Sequence, residues 1–267
     1  MSTPQELAAS EDGREVFNDG NMTDVVRQGN TVVRQCGAWS HANHAVLKHL
    51  ETVGFPGAPR LLSVEGAEET LTFVPGTSVP ADLAGFAGDD VLVAVASLIR
   101  KLHDALSSFD PEPHLDFPRM PGAPVGSRFV CHNDLAPWNT IFEQGRARAF
   151  IDWDLVAPAP PAWDIAYAAW RFVPLYPDDA RYGHPLTRGW RLRLFLDTYA
   201  LDMSERRDFV RLIRARQLCA YETVEQWGKA GRTGFDRLLE QRLHVGALDD
   251  IAWLDVNATV LHDAIMS

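Results

Sequence analysis

Phe129-Val130-Cys131-His132-Asn133-Asp134-Leu135-Ala136-Pro137-Trp138-Asn139-Thr140 opens on a short apolar run and then sets Asp134 and Asn139 five positions apart. A second apolar run, Ala147 to Ile151, ends in Asp152-Trp153-Asp154, with a turn signal, Glu143-Gln144-Gly145, between the two. This pattern predicts a strand, a tight loop carrying Asp134, a strand over Thr140–Phe142, a turn, and a strand that delivers Asp152. Such a hairpin folds back on itself. It brings Asp134, Asn139 and Asp152 to one end of a small sheet.

Two carboxylates and an amide oxygen make a set of hard oxygen donors, suited to Mg²⁺ rather than Zn²⁺. Mg²⁺ takes few protein ligands and leaves its other positions to water and substrate phosphates. One carboxylate is then free to accept a proton from an attacking hydroxyl. Phosphoryl transfer needs this division of labour: a base for the nucleophile, and a metal held on the phosphates. The spacing His132-x-Asp134-(four residues)-Asn139 also follows the catalytic loop of protein kinases, with Asp152 as the later metal-binding carboxylate.

Four pieces occur in order: His132-Asn133-Asp134, Asn139, Ile151-Asp152-Trp153-Asp154 and Trp163-Asp164-Ile165-Ala166. Together they resemble the signature of the aminoglycoside phosphotransferase family, whose members share the kinase fold and include choline and other small-molecule kinases. The resemblance implies a bilobal α+β fold. A small lobe over residues 1–75 would carry a five-stranded antiparallel sheet and one helix. A larger, mostly helical lobe over 76–267 would carry the catalytic hairpin. It implies Asp134 as catalytic base, with His132 anchoring its loop through backbone bonds. Asn139 and Asp152 would be metal ligands, with Asp154 as a second carboxylate that either joins them or polarises the loop. Asp164 would cap a helix or steady the loop.

Working outward toward the N-terminus, Val25–Gln28 and Val32–Gln35 flank Gly29-Asn30, a hairpin signal. In the family the later strand carries a Lys for the nucleotide phosphates; here Arg34 stands in that region, and its fork can grip phosphate oxygens. The turn-rich stretch around Gly20 and Asn21 is placed to cover phosphates with backbone N–H groups, although it holds a single glycine. A helix is expected from Ser40 to about Thr52, buried through Ala42, Val46, Leu50 and Val53. The family's helix Glu, partner of the Lys, is missing; Asn43 or His44 falls near its place. Strands over Arg60–Glu65 and Thr70–Val74 complete the sheet. Phe73-Val74-Pro75-Gly76 is the lobe hinge by resemblance, where backbone groups of Thr72 and Val74 would meet an adenine edge.

A formal net charge of −11 over 267 residues argues against nucleic acid or an anionic membrane as partner. Cys36, Cys131 and Cys219 are widely spaced and form no Cys-x-x-Cys, as expected of free thiols in the cytoplasm. The N-terminus has no signal-peptide pattern, and no apolar run reaches membrane-spanning length.

Toward the C-terminus, helices are expected over Asp89–Leu106, Trp163–Phe172, Gly189–Tyr199, Glu205–Trp227, Phe235–Val245 and Asp249–Ile265. Val173–His184 reads as a loop. The family builds its acceptor pocket from this end, where Asp178, Asp179, Glu222, Glu225 and Asp255 are candidate acidic lining residues. The expected activity is Mg²⁺-dependent transfer from ATP or GTP to a hydroxyl of a small molecule, an aminoglycoside-like antibiotic by resemblance, in a monomer or homodimer. Three alternatives remain: a kinase for choline, a sugar or a nucleoside; a catalytically weak nucleotide-binding protein that protects by sequestering a toxin; and an Mg²⁺-dependent hydrolase.

Overall fold

The Gly29-Asn30 turn closes as the sequence implies, with Gly29 in the left-handed region at φ +60°. It joins β2 (Val25–Gln28) to β3 (Thr31–Gln35), and β1 (Arg14–Phe17) pairs on the outside of β2. The computed structural model describes residues 14–17, 25–79, 83, 86 and 88–267, so the expected phosphate-covering residues Gly20 and Asn21 lie outside the described residues. α1 (Ser40–Thr52) crosses over to β4 (Leu61–Glu65), which turns into β5 (Glu68–Thr72). The result is a five-stranded antiparallel sheet in the order β1-β2-β3-β5-β4. α1 buries Ala42, Val46, Leu47 and Leu50, whereas Val53 is exposed at the helix end. Leu47 therefore takes the place that Val53 was expected to fill.

The chain leaves the sheet through Gly76, at φ +138°. A Cβ there would lie 2.5 Å from both Ile141 Cγ2 and the Phe142 carbonyl oxygen. Only glycine permits this approach. It lets β6 (Thr77–Ser78) pair with the catalytic hairpin and joins the two lobes. α2 (Asp89–Leu106) then lies beneath, with Asp89 and Asp90 at its positive N-terminal end. Its stripe of Val91, Val95, Leu98, Leu102 and Leu106 is buried.

The hairpin of the candidate site comprises β7 (Val130–Cys131), a 3₁₀ turn over Pro137–Asn139, β8 (Thr140–Glu143), β9 (Arg146–Phe150) and β10 (Ala157–Pro158). β8 and β9 pair antiparallel about Gln144-Gly145, both at positive φ. β10 returns to pair with β7.

The remainder is helical: α3 (Pro161–Phe172), α4 (Asp179–Tyr182), α5 (Pro185–Tyr199), α6 (Met203–Arg206), α7 (Phe209–Lys229), α8 (Phe235–Glu240) and α9 (Gly246–Met266). One core joins α2, the hairpin and these helices through Leu92, Ile99, Phe150, Trp153, Trp170 and Phe195, all nearly inaccessible. Each such side chain contributes roughly 1.5–3 kcal/mol by leaving water.

Three expectations change. The helix expected over Glu205–Trp227 is broken at Arg207-Asp208. The buried Arg206 donates to the Leu201 carbonyl (3.0 Å) and to Asp197 (2.5 Å), pinning α6 to the end of α5. The helix expected over Phe235–Val245 stops at Glu240, because Arg242 takes φ +54° before a 3₁₀ turn at Leu243–Val245. The loop expected over Val173–His184 contains α4. No helix among the described residues is long and apolar enough to cross a membrane.

Candidate active site

The site is assembled on Asn133, at φ +65°. Asn tolerates this left-handed conformation better than most residues, because its short polar side chain bonds locally. Here the Nδ2 amide faces the carbonyls of Cys131 (3.2 Å), Leu155 (3.1 Å) and Ala157 (3.2 Å), knitting β7 to β10. Arg216 of α7 donates to the Asn133 carbonyl at 2.5 Å. Asp164, in the first turn of α3, accepts from the backbone N–H groups of His132 (2.8 Å) and Asn133 (2.7 Å). His103 of α2 bonds the same carboxylate at 3.3 Å and Tyr199 through its other nitrogen at 2.8 Å. Burial pushes the Asp164 carboxyl up, but the His103 hydrogen bond and charge, with the backbone N–H of His132, outweigh it and hold the group below the usual carboxylate range.

His132 does not face the cleft. It is fully buried, and burial depresses its pKa. Asp134 N–H donates to Nδ1 (3.2 Å), which assigns the proton to Nε2, facing the Ile151 carbonyl at 3.2 Å. It is a positioning residue that ties the loop to the hairpin.

Asp134 is half-buried. Asn139 Nδ2 donates to its carboxylate Oδ2 (2.8 Å) and to its carbonyl (3.1 Å). The Asn139 carbonyl in turn accepts from Ile151 N–H (2.9 Å), joining the loop to the end of β9. Asp152 follows at φ +61°. This turn sends the Trp153 ring into the core, where Nε1 donates to the Phe150 carbonyl (3.0 Å), and leaves Asp152 and Asp154 facing the cleft at 38 % and 24 % exposure. The Asp152 carboxyl is pushed up to about 7, by desolvation first and the Asp154 charge second, with Arg34 opposing. Solvent in the cleft screens part of that rise.

Across the cleft, Arg34 Nη2 reaches Asp154 at 2.7 Å, and Nη1 lies 3.8 Å from Asp152. Its Nε donates to Glu69 at 2.5 Å. Burial lowers the guanidinium pKa, but Asp154, Glu69 and Asp152 outweigh it and raise it. Glu69 also hydrogen-bonds His44 Nε2. The carboxylate expected from the helix thus comes from β5, and α1 is tied to it through His44. Asn43 adds a 3.4 Å contact to Asp154. Sequence reasoning missed Glu69; its signal is that it stands directly opposite Arg34 in the β3–β5 register. Tyr167 was also missed. Its hydroxyl lies against Asp134; burial, then the Asp134 charge, pushes its pKa up.

At the hinge, Thr72 N–H is taken by the Arg60 carbonyl at 2.9 Å, whereas Val74 N–H has no backbone partner among the described residues. Asp178 caps Arg181 N–H, Glu225 pairs with Lys229 and His244, and Asp255 pairs with Arg214. Glu222 is half-buried near Gly122.

The hard-oxygen donors Asn139, Asp152 and Asp154 fit a divalent cation with phosphates. Two softer clusters are already satisfied internally. In Cys36–His44–Glu69 the imidazole and carboxylate bind each other and Arg34. In His103–Cys131–Asp164, which is wholly buried, the thiol donates to the Ala159 carbonyl at 3.3 Å.

The pattern of the phosphotransferase enzyme family (APH) matches residues 118–200. A trifolitoxin immunity protein of Rhizobium leguminosarum bv. trifolii is 32 % identical over 200 residues, covering 72 % of this chain and 76 % of that one. Among solved structures, a choline/ethanolamine kinase family protein from Mesorhizobium loti superposes with a TM-score of 0.62 at 15 % identity, covering 97 % of this chain and 94 % of that one. Amicoumacin kinase hAmiN, in complex with AMP-PNP, Ca²⁺ and Ami, superposes at 0.61 and 12 % identity, covering 84 % and 82 %. At these identities the two superpositions carry the fold alone.

Proposed function

The chain belongs to the aminoglycoside phosphotransferase family, and on that premise we propose that it is an immunity protein that disarms a toxic small molecule by phosphorylating one of its hydroxyls. The observation that carries this reading is the convergence of Asp134, held by Asn139, with Asp152 and Asp154 on one cleft faced by Arg34. Residues 1–75 cover the nucleotide, residues 76–267 receive the acceptor, and Val74 at the hinge offers its backbone to the base. Asp134 accepts the acceptor's hydroxyl proton as its oxygen attacks the γ-phosphorus of ATP or GTP, and the bond to the leaving nucleoside diphosphate breaks. Asn139, Asp152 and Asp154 are the residues that would hold Mg²⁺, which neutralises phosphate charge when bound. The three free thiols fit a reducing cytoplasm.

A second reading is sequestration without turnover. It is favoured by the curated relative being named an immunity protein, and by an Arg34 already committed to Glu69 and Asp154. One experiment separates the two. Wild type and Asp134→Asn are incubated with Mg²⁺, ATP or GTP, and a panel of antibiotics, choline, sugars and nucleosides, and mass spectrometry follows addition of one phosphoryl group. The expected result is a product whose rate falls roughly 10²–10⁴-fold in the variant, with nucleotide affinity unchanged. Tight binding of toxin and nucleotide without product establishes sequestration. Absence of nucleotide binding overturns both readings.

A further inference from the structure

α3 presents Asp164, Tyr167 and Arg171 at i, i+3 and i+7, one stripe of the helix. Asp164 holds the catalytic loop and Tyr167 lies against Asp134. Arg171, one turn further, extends the same stripe past the base. Its guanidinium carbon lies 3.5 Å from the centre of the Trp170 ring and 5.4 Å from those of Tyr167 and Trp138. Trp138 belongs to the catalytic loop and is 37 % exposed. The guanidinium is thus held by aromatic walls between Trp138 and Tyr167, the residue whose hydroxyl meets Asp134.

Its polar needs are not met there. Arg171 Nε is enclosed and has no hydrogen-bond partner. Among the described residues no carboxylate lies within ion-pair distance of it. Asp250 feels its charge, but the Asp250 carboxylate is taken by Trp170 Nε1 at 2.9 Å. Among the described residues, Arg34 is committed to Glu69 and Asp154, and Arg216 to the Asn133 carbonyl. An enclosed guanidinium N–H without a partner is costly, and the fork's remaining nitrogens, unpaired within the described residues, match a carboxylate's two oxygens.

We propose that Arg171 is the anion-binding residue of the acceptor site, and that the acceptor carries a carboxylate beside the hydroxyl that is phosphorylated. The proposal rests on the phosphotransferase reading and names its substrate class. One cation, whose charge is already felt by Asp250, suits a monoanion rather than a phosphate dianion. Trp138 supplies a platform for the acceptor's apolar part. Of the acids expected to line the pocket, Glu225 and Asp255 are paired with bases and Asp178 caps the Arg181 N–H.

The test uses the full chain with Mg²⁺ and ATP. The probes are hydroxylated carboxylic acids, including short seryl and threonyl peptides, each paired with its carboxamide. Binding is read by ligand-observed NMR and transfer by mass spectrometry, on wild type, Arg171→Gln, Arg171→Lys and Asp134→Asn, with thermal melting to verify folding. At least one acid is expected to bind about tenfold or more tightly than its amide. That preference disappears in Arg171→Gln, survives in part in Arg171→Lys, and is intact in Asp134→Asn. Acids and amides binding alike, a preference that persists in Arg171→Gln, or no acid binding at millimolar concentration overturns the proposal. Arg171-dependent binding of an acid without transfer keeps the anion site and overturns the kinase reading. Transfer to uncharged acceptors, with KM unchanged in Arg171→Gln, does the reverse.

Discussion

Replacing Asp164 by alanine removes the one side chain that satisfies two buried backbone donors of the catalytic loop. His132 N–H and Asn133 N–H would lose acceptors at 2.8 and 2.7 Å in a region with no solvent access. Each orphaned buried donor costs about 1–3 kcal/mol, so the pair costs about 2–6 kcal/mol. Against a domain stability of roughly 5–15 kcal/mol this is a large share. With a urea m-value of about 3 kcal/mol/M, the unfolding midpoint should fall by about 0.7–2 M. Tryptophan fluorescence suits the measurement, because seven of the eight tryptophans lie beyond residue 75, in the lobe that holds Asp164. Asp164→Asn keeps one acceptor oxygen and should lose less, while its amide N–H faces the second donor. A loss below about 1 kcal/mol in Asp164→Ala would refute the view that this carboxylate holds the loop.

Glu69→Gln tests the carboxylate that joins Arg34 to His44. Burial pushes Glu69 up, but His44 and Arg34 hold it below the usual range. Its contribution is therefore present above the unfolded value of about 4.3 and is lost as pH falls through the lower folded value. Melting temperatures of wild type and variant should differ at pH 7 and converge under acid conditions; a gap independent of pH contradicts the assignment. Gly76→Ala should destabilise the protein by about 2 kcal/mol or more, since the new methyl meets Ile141 and the Phe142 carbonyl at 2.5 Å and φ is +138°. Thermal denaturation unchanged within about 0.5 kcal/mol would show that the hinge relaxes without cost.

The candidate constellation was legible in the chain as a geometric arrangement because it is local. Asp134, Asn139 and Asp152 lie within 19 residues on a hairpin whose turn and apolar runs follow short-range rules, and Asn139 does bond Asp134. The β2–β3 hairpin, α1 and α2 came from the same kind of signal, while the five-stranded count was implied by the family resemblance. Helix breaks at Arg207-Asp208 and Arg242 did not, because apolar spacing continues across both and only the buried contacts of Arg206 and the left-handed turn at Arg242 interrupt it.

What tertiary structure decided was the partner of each buried charge. Arg34 finds Glu69, 35 residues on, through strand register; Asp164 finds His103 across 61 residues; Arg216 reaches Asn133 across 83. A charge leaves water only where packing supplies an opposite charge or a hydrogen-bonding group, and that choice is made by elements distant in sequence. Arg171 follows the same logic with the opposite outcome. Its place on the α3 stripe is written in the spacing, but only the packing of Trp138, Tyr167 and Trp170 around it shows a cation with no carboxylate at ion-pair distance among the described residues.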